Sequence, residues 1–295
     1  MKMQGLVNSS DIPDPDVAKQ FFDENGFYLF NGIFDRSMLE DAAESLKRHA
    51  AIFAKRVGIS TDDIDVLVQQ LEEESPKLLW DFQLLMAKTQ CLKFIQTSKQ
   101  ILDVFELFTN VPKEEALIHD GAFLINPNHS KRLLYHWHTA EWEYPKRQIF
   151  TNNWVPVIRP KTASNGGLDI AVGSHKYRFP TVEGVGYSKT GTHRLTQAVI
   201  PKTYVDRFEV IRVEAEPGDL AIMHPRCLHS STLNTSGKPS YLWVFKVWNY
   251  RADWTVSPTI NSRTYSEVSI DEVADIHISE EDLALSMTAG STSLI

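Results

Sequence analysis

The feature that most constrains this chain is a change of hydrophobic period near Ala116. Before that point apolar residues recur at helical spacing. After it, short apolar or alternating runs are divided by turn residues. Residues 14–25 carry Val17, Phe21 and Phe22 and stop at Gly26, and Phe27 to Phe30 follow as a short strand. Residues 35–57 place Leu39, Ala42, Ala43 and Leu46 on one face. Ser60, Thr61 or Asp62 is the expected cap of a helix running to Glu74. Helical stretches are also predicted over 76–87 and 91–108.

Beyond Ala116, strands are expected at 117–125, 132–138, 150–158, 167–172, 208–215, 220–223 and 241–248. Asn165-Gly166-Gly167, Glu216-Pro217-Gly218-Asp219 and Thr235-Ser236-Gly237 mark turns between them. Many short strands spaced in this way predict a sandwich, jelly roll or barrel. Residues 184–204 read as an irregular insertion, long enough for a lid or substrate loop. The tail after Ser266 is acidic and ends in Ser, Thr and Gly, so fraying is expected there. Without internal repeats or a low-complexity linker, the reading is one domain over 1–295. It comprises a mainly helical part at 1–110, a β core at 116–250 and a C-terminal extension at 251–295.

Composition excludes several classes. With 295 residues, 42% of them hydrophobic, the chain can bury a substantial core. A net charge of -8 argues against a nucleic-acid partner, which needs excess Lys and Arg. No apolar run approaches the roughly 20 residues needed to span a bilayer, and the N-terminal stretch lacks a signal-peptide core. Two cysteines, Cys91 and Cys227, argue against a disulfide framework, so a reducing, cytoplasmic setting is expected.

Two histidine-bearing segments carry the chemistry, Tyr135 to Glu141 and His224 to His229. A non-haem iron site of the two-histidine-one-carboxylate kind places His-x-Asp/Glu on one strand and a second His on a later one. The i, i+2 spacing follows from strand alternation, which puts both side chains on one face. After His138, however, the i+2 residue is Ala140, and the expected carboxylate is missing. Glu141 would point to the opposite face unless a bulge re-aimed it.

Taken together with the surrounding motifs, the chain resembles the phytanoyl-CoA dioxygenase family of iron(II)/2-oxoglutarate oxygenases. The pieces are Phe21 to Phe27, Trp137-His138 with Tyr144 to Arg147, Asn165 to Leu168, Val172 to Lys176, and Pro217-Gly218-Asp219 leading into His229-Ser230-Ser231. This resemblance implies a mainly β fold with a helical N-terminal part, a double-stranded β-helix of the jelly-roll or cupin-like kind. It also implies His138 and His229 as metal ligands, Fe(II) as the metal, 2-oxoglutarate as co-substrate and a small-molecule substrate. The family's carboxylate falls at Ala140. Its arginine for the distal carboxylate of 2-oxoglutarate falls at Ser240, in Lys238-Pro239-Ser240-Tyr241. Lys238 would share a face with Ser240 on a regular strand and could supply a point charge, with Ser231 adding a hydroxyl.

Three readings follow. The first is an oxygenase acting on a C–H bond of a small metabolite. The second is the halogenase variant, in which Ala or Gly at position 140 lets chloride take the vacated position. The third is a catalytically silent binding protein with the same fold. Other candidates have plainer readings. His136 reads as a structural or rim residue, His224 as a packing residue, and His175 as part of a strand-to-loop turn. Cys227 shares the parity of His229 but is also a typical small buried hydrophobe. Trp137, Trp154 and Trp243 are pocket or core aromatics, Arg147 is expected at the surface, and Asn152 or Asn153 is a weak candidate for co-substrate contact.

Overall fold

In a computed structural model, the protein is described over residues 14–118, 121–129, 137–140, 150–178, 182–187, 194–200, 202–249 and 288–289. The helical part comprises α1 (Pro15–Asn25), α2 (Arg36–Val57), α3 (Ile64–Glu74), α4 (Pro76–Met86), α5 (Gln90–Gln96) and α6 (Lys99–Thr109), with strand β1 (Phe27–Phe30) after α1. The β part comprises β2 (Ala116–Ile118), β3 (Ala122–Asn126), β4 (Phe150–Pro156), β5 (Leu168–Ala171), β6 (Tyr177–Arg178), β7 (Val182–Tyr187) and β8 (Arg194–Val199). A one-turn helix α7 (Lys202–Val205) precedes β9 (Val210–Val213), β10 (Leu220–Met223), β11 (His229–Ser231), β12 (Ser240–Asn249) and β13 (Thr288–Ala289).

Local chemistry sets the helix ends. Asp14 accepts from the Asp16 N–H, and Pro15 sits where no intrahelical donor is needed. At the other end Gly26 closes α1 at φ +83, and its N–H donates to the Phe22 carbonyl. An added Cβ there would stand 2.4 Å from His175 Nδ1, so the turn also needs glycine for space. The cap of α3 is Asp63, whose side chain accepts from Asp65 N–H at 2.7 Å, rather than Ser60, Thr61 or Asp62. Thr61 Oγ1 instead accepts from Asp63 N–H, so the turn before the cap consumes the expected hydroxyl. The single helix predicted over 91–108 is two, α5 and α6, parted at Thr97-Ser98. The Thr97 hydroxyl donates back to the Lys93 carbonyl at that break.

One antiparallel sheet has the order β1-β10-β4-β12-β2, with β3 also paired to β12. A second has the order β11-β5-β9. Together they form the double-stranded β-helix. Strand β12 explains how the helices attach. Tyr241, Trp243, Phe245 and Val247 pack with Phe82, Phe105 and Leu67 of the helical layer, while Leu242 and Val244 face inward against Trp154, Leu168 and Ile170. Both faces of β12 are therefore covered, and its sequence is apolar almost throughout instead of alternating. Asp65 of α3 adds a polar link, taking both oxygens to Arg159 Nη2 at 2.8 and 2.7 Å and accepting from Tyr241 OH at 2.7 Å.

The region expected to be an irregular insertion contains an antiparallel hairpin of β7 and β8, with Val182 opposite Val199 and Tyr187 opposite Arg194. Gly184 and Gly186 weaken the strand signal in β7, which is why the pattern read as loop. In the tail, Thr288–Ala289 pairs with Tyr177–Arg178, so this piece is a strand instead of a frayed end. No helix among the described residues is long and apolar enough to cross a membrane.

Candidate metal centre

Backbone pairing brings the two predicted ligands together. His138 and His229 form an antiparallel bridge, each N–H donating to the other's carbonyl at 3.1 Å. Directly opposed residues of such a pair present their side chains on one face. On the other side His229 is opposite Ile170 of β5, which lies in the inner apolar cluster with Trp154, Leu168, Met223 and Leu242. The two imidazoles thus face the barrel interior, with ring centroids 4.3 Å apart and planes inclined by 56°.

His229 is held in one tautomer. Its Nδ1 lies 2.9 Å from the Cys227 carbonyl, which can only accept, so Nδ1 carries a proton and, in the neutral ring, Nε2 is the nitrogen with the lone pair. A histidine oriented in this way through its far nitrogen is prepared as a metal ligand. Ala140 is buried with Phe150 and Trp248, against Leu117, and brings no oxygen ligand. Among the described residues no group of three His, Cys, Asp or Glu side chains gathers. These donors fit a metal held by two protein nitrogens, with its other positions left to exogenous ligands, and not a closed structural site. Glu141, His136 and the segment Tyr144 to Arg147 lie outside the described residues.

The remaining candidates separate by position. Ser231 shares the inward face of His229 by alternation and is half-buried, and Trp154 is a buried part of the inner wall. Ser240 is fully buried at the start of β12. Lys238 does not join it. This lysine is exposed in the turn before the strand, where alternation does not yet apply, and its carbonyl accepts from Asn234 and Ser236 side chains. The side chain beside Ser240 is Lys161, with Nζ 2.7 Å from Ser240 Oγ. Sequence reasoning missed it because Arg159-Pro160-Lys161 precedes a turn and reads as solvated surface.

Cys227 contributes its carbonyl and not its thiol. The side chain is buried, with Sγ 3.9 Å from Ser174 Oγ, and burial pushes the thiol up to about 12, far from a reactive thiolate. Trp243 belongs to the helix-facing core, whereas Trp137 is half-buried beside Ile200, Tyr204 and Leu228. Asn153 faces the helical layer and donates to Thr151 and Phe245. Asn152, one residue earlier, faces the interior by alternation, and its Oδ1 is buried without a hydrogen-bond partner among the described residues.

His175 and His224 form a second buried pair, with ring centroids 5.1 Å apart, beneath the end of α1. His175 Nε2 lies 3.1 Å from the Asp23 carbonyl, and the His224 N–H donates to the Gly26 carbonyl. Burial pushes His175 down to about 4 and also lowers His224, with Arg226 adding to both shifts. The unfolded chain therefore binds more protons than the folded one between about 4 and the ordinary value of 6.5. The stability contributed by this pair is complete above pH 6.5 and is lost as pH drops toward 4, at up to about 1.4 kcal/mol per pH unit from His175. Urea unfolding followed from pH 7.5 to 4.5 should show this loss, and His175→Gln should flatten the acid limb.

A family model described as phytanoyl-CoA dioxygenase matches residues 22–240. The chain is 20% identical over 250 residues to 1-deoxypentalenic acid 11-beta-hydroxylase of Streptomyces arenae, covering 78% of each protein. Among solved structures it resembles EvdO2 from Micromonospora carbonacea var. aurantiaca complexed with 2-oxoglutarate, at TM-score 0.55 and 15% identity over 86% of this chain and 97% of that one. It also resembles EctD from S. alaskensis with bound Fe, at TM-score 0.54 and 16% identity over 91% of each chain.

Proposed function

Because the chain belongs to the phytanoyl-CoA dioxygenase family, we propose that it binds iron(II) through His138 and His229 and uses 2-oxoglutarate to oxidise a C–H bond of a small molecule. The observation that carries this reading is the His138–His229 bridge, which turns two imidazoles onto one inner face while Cys227 O holds the His229 tautomer. Bound iron and a 2-oxo acid would supply oxygen-dependent oxidation of the substrate. The protein's own part is to fix the ligands and keep water out. Trp154, Leu168, Ile170, Met223 and Leu242 make the inner wall apolar, which suits a small organic ligand. Cys91 and Cys227 are both unpaired, which supports a cytoplasmic setting.

One observation favours the halogenase as a second reading. At the i+2 position a buried Ala140 leaves no side chain to fill a coordination site, and an anion such as chloride could take the place of the carboxylate. An anaerobic optical titration of the metal-free protein with iron(II) and 2-oxoglutarate, with and without chloride, tests both readings. The expected result is a visible iron-to-2-oxoglutarate charge-transfer band. A chloride-dependent shift of that band selects the halogenase, and an unmoved band selects the oxygenase. No iron retained and no band, with small-molecule binding preserved, would replace both by a silent binding protein.

A further inference from the structure

Lys161 is 3% exposed, and its Nζ is surrounded by the Ser240 hydroxyl at 2.7 Å, the Gly166 carbonyl at 3.1 Å and the Asn165 carbonyl at 3.4 Å. All three are uncharged. Among the described residues no carboxylate lies within ion-pairing distance of this nitrogen. An ammonium taken from water without a counter-charge is costly, and hydrogen bonds to neutral acceptors offset only part of that cost. A buried lysine in such a place either serves the fold alone or awaits an anion.

Its position favours an anion. Lys161 bridges Ala215, whose side chain belongs to the inner cluster, and opposed residues share a face. Ser240 has the parity of Leu242 and Val244, which pack on that same cluster. The ammonium therefore meets β12 on the interior side of the barrel. The surrounding cradle is tightly built. Gly166 sits at φ +88, and a Cβ on it would come within 2.0 Å of Asn126 Nδ2. Ser240 Oγ donates to the Asn165 carbonyl at 2.7 Å, which turns its lone pairs toward the lysine. Gly166, whose carbonyl accepts from this ammonium, stands four residues before Ile170, the residue opposite His229, a stretch that includes a turn and spans at most roughly 13 Å at about 3.3 Å per extended residue. The ammonium already stands at the Gly166 end of that stretch, so a five-carbon diacid held at the histidines would approach it from the other end.

Resting on the iron and 2-oxo-acid reading above, we propose that Lys161, seated on Ser240, holds the distal carboxylate of 2-oxoglutarate, which takes the donor now spent on the long 3.4 Å contact to the Asn165 carbonyl. It is a binding residue for the co-substrate, recruited from the segment after β4 to a place where β12 offers only a hydroxyl. Burial has pushed its ammonium down to about 7, so an arriving carboxylate would favour the protonated form and draw a proton from solvent.

The test compares 2-oxoglutarate with 2-oxobutanoate, which has the same 2-oxo-acid head and no distal carboxylate. Both are titrated anaerobically into the full-length iron(II) protein by calorimetry and by the charge-transfer band. The wild type should prefer 2-oxoglutarate by roughly 10- to 100-fold, the size of one or two charge-assisted hydrogen bonds. Lys161→Met should reduce that preference to about unity while leaving 2-oxobutanoate affinity unchanged, and Lys161→Arg should retain part of it. A folded Lys161→Met protein that keeps the preference makes the lysine structural and overturns the assignment alone. A wild type that binds the two acids equally does the same without any variant. If neither acid binds the wild-type iron protein, the iron and 2-oxo-acid reading fails and this assignment fails with it.

Discussion

Ala140→Asp is expected to tighten iron(II) binding by at least about tenfold, or 1.4 kcal/mol, and to abolish any response of the optical spectrum to chloride. The substitution restores an anionic oxygen two residues after His138, on the face where strand alternation puts it. It also places a carboxylate beside Phe150 and Trp248, against Leu117, where the metal-free protein offers it an apolar surrounding. An unpaired buried charge of that kind costs about 3–5 kcal/mol, so the metal-free variant should unfold at markedly lower urea. Iron should return much of that loss, because a ligand that binds only the folded state stabilises it. The paired measurement is therefore an unfolding midpoint with and without iron. A variant that is destabilised but gains neither iron affinity nor metal-dependent stability would show that position 140 does not face the metal.

His229→Ala is expected to remove iron binding while leaving the fold in place. A single imidazole would remain, and the loss should exceed the 10- to 100-fold that follows removal of an outer-shell partner. The reason the fold survives lies in the bridge, where both hydrogen bonds to His138 come from backbone groups that alanine at 229 also has. Circular dichroism should therefore match the wild type, while equilibrium dialysis against iron(II) shows no retained metal. Cys227→Ala is the informative control. The group that orients His229 is the carbonyl of residue 227, not its thiol, so iron affinity should stay within a few-fold of wild type. Wild-type iron affinity in His229→Ala would assign the metal elsewhere.

Much of the framework was legible from local patterns. The helical spacing of Leu39, Ala42 and Leu46 corresponds to buried positions of α2, and Gly26 ends α1 in the left-handed conformation. The division of 91–108 into two helices was not legible, because Thr97 and Ser98 disturb the apolar period only slightly. The hairpin of β7 and β8 was hidden for a related reason, since its two glycines depress strand propensity although the register can still pair. At the site, His138 and His229 were expected as ligands from the family resemblance, whereas their backbone bridge was not foreseen. Nor were the roles of neighbouring groups, because the carbonyl of Cys227 carries no side-chain signature.

What the amino-acid sequence determined by itself was the period of each segment, the turn chemistry between segments, and the absence of a carboxylate at Ala140 and of a cation at Ser240. These depend on residues within one or two turns of each other, where steric and hydrogen-bonding preferences act locally. Tertiary structure alone decided which cation reaches Ser240. Lys238 is nearest in the chain but lies exposed in a turn, whereas Lys161, far away in sequence, crosses to it because the Lys161–Ala215 bridge carries it onto the inner face. A contact between distant strands depends on how the sheets close on one another, and no local preference encodes that closure.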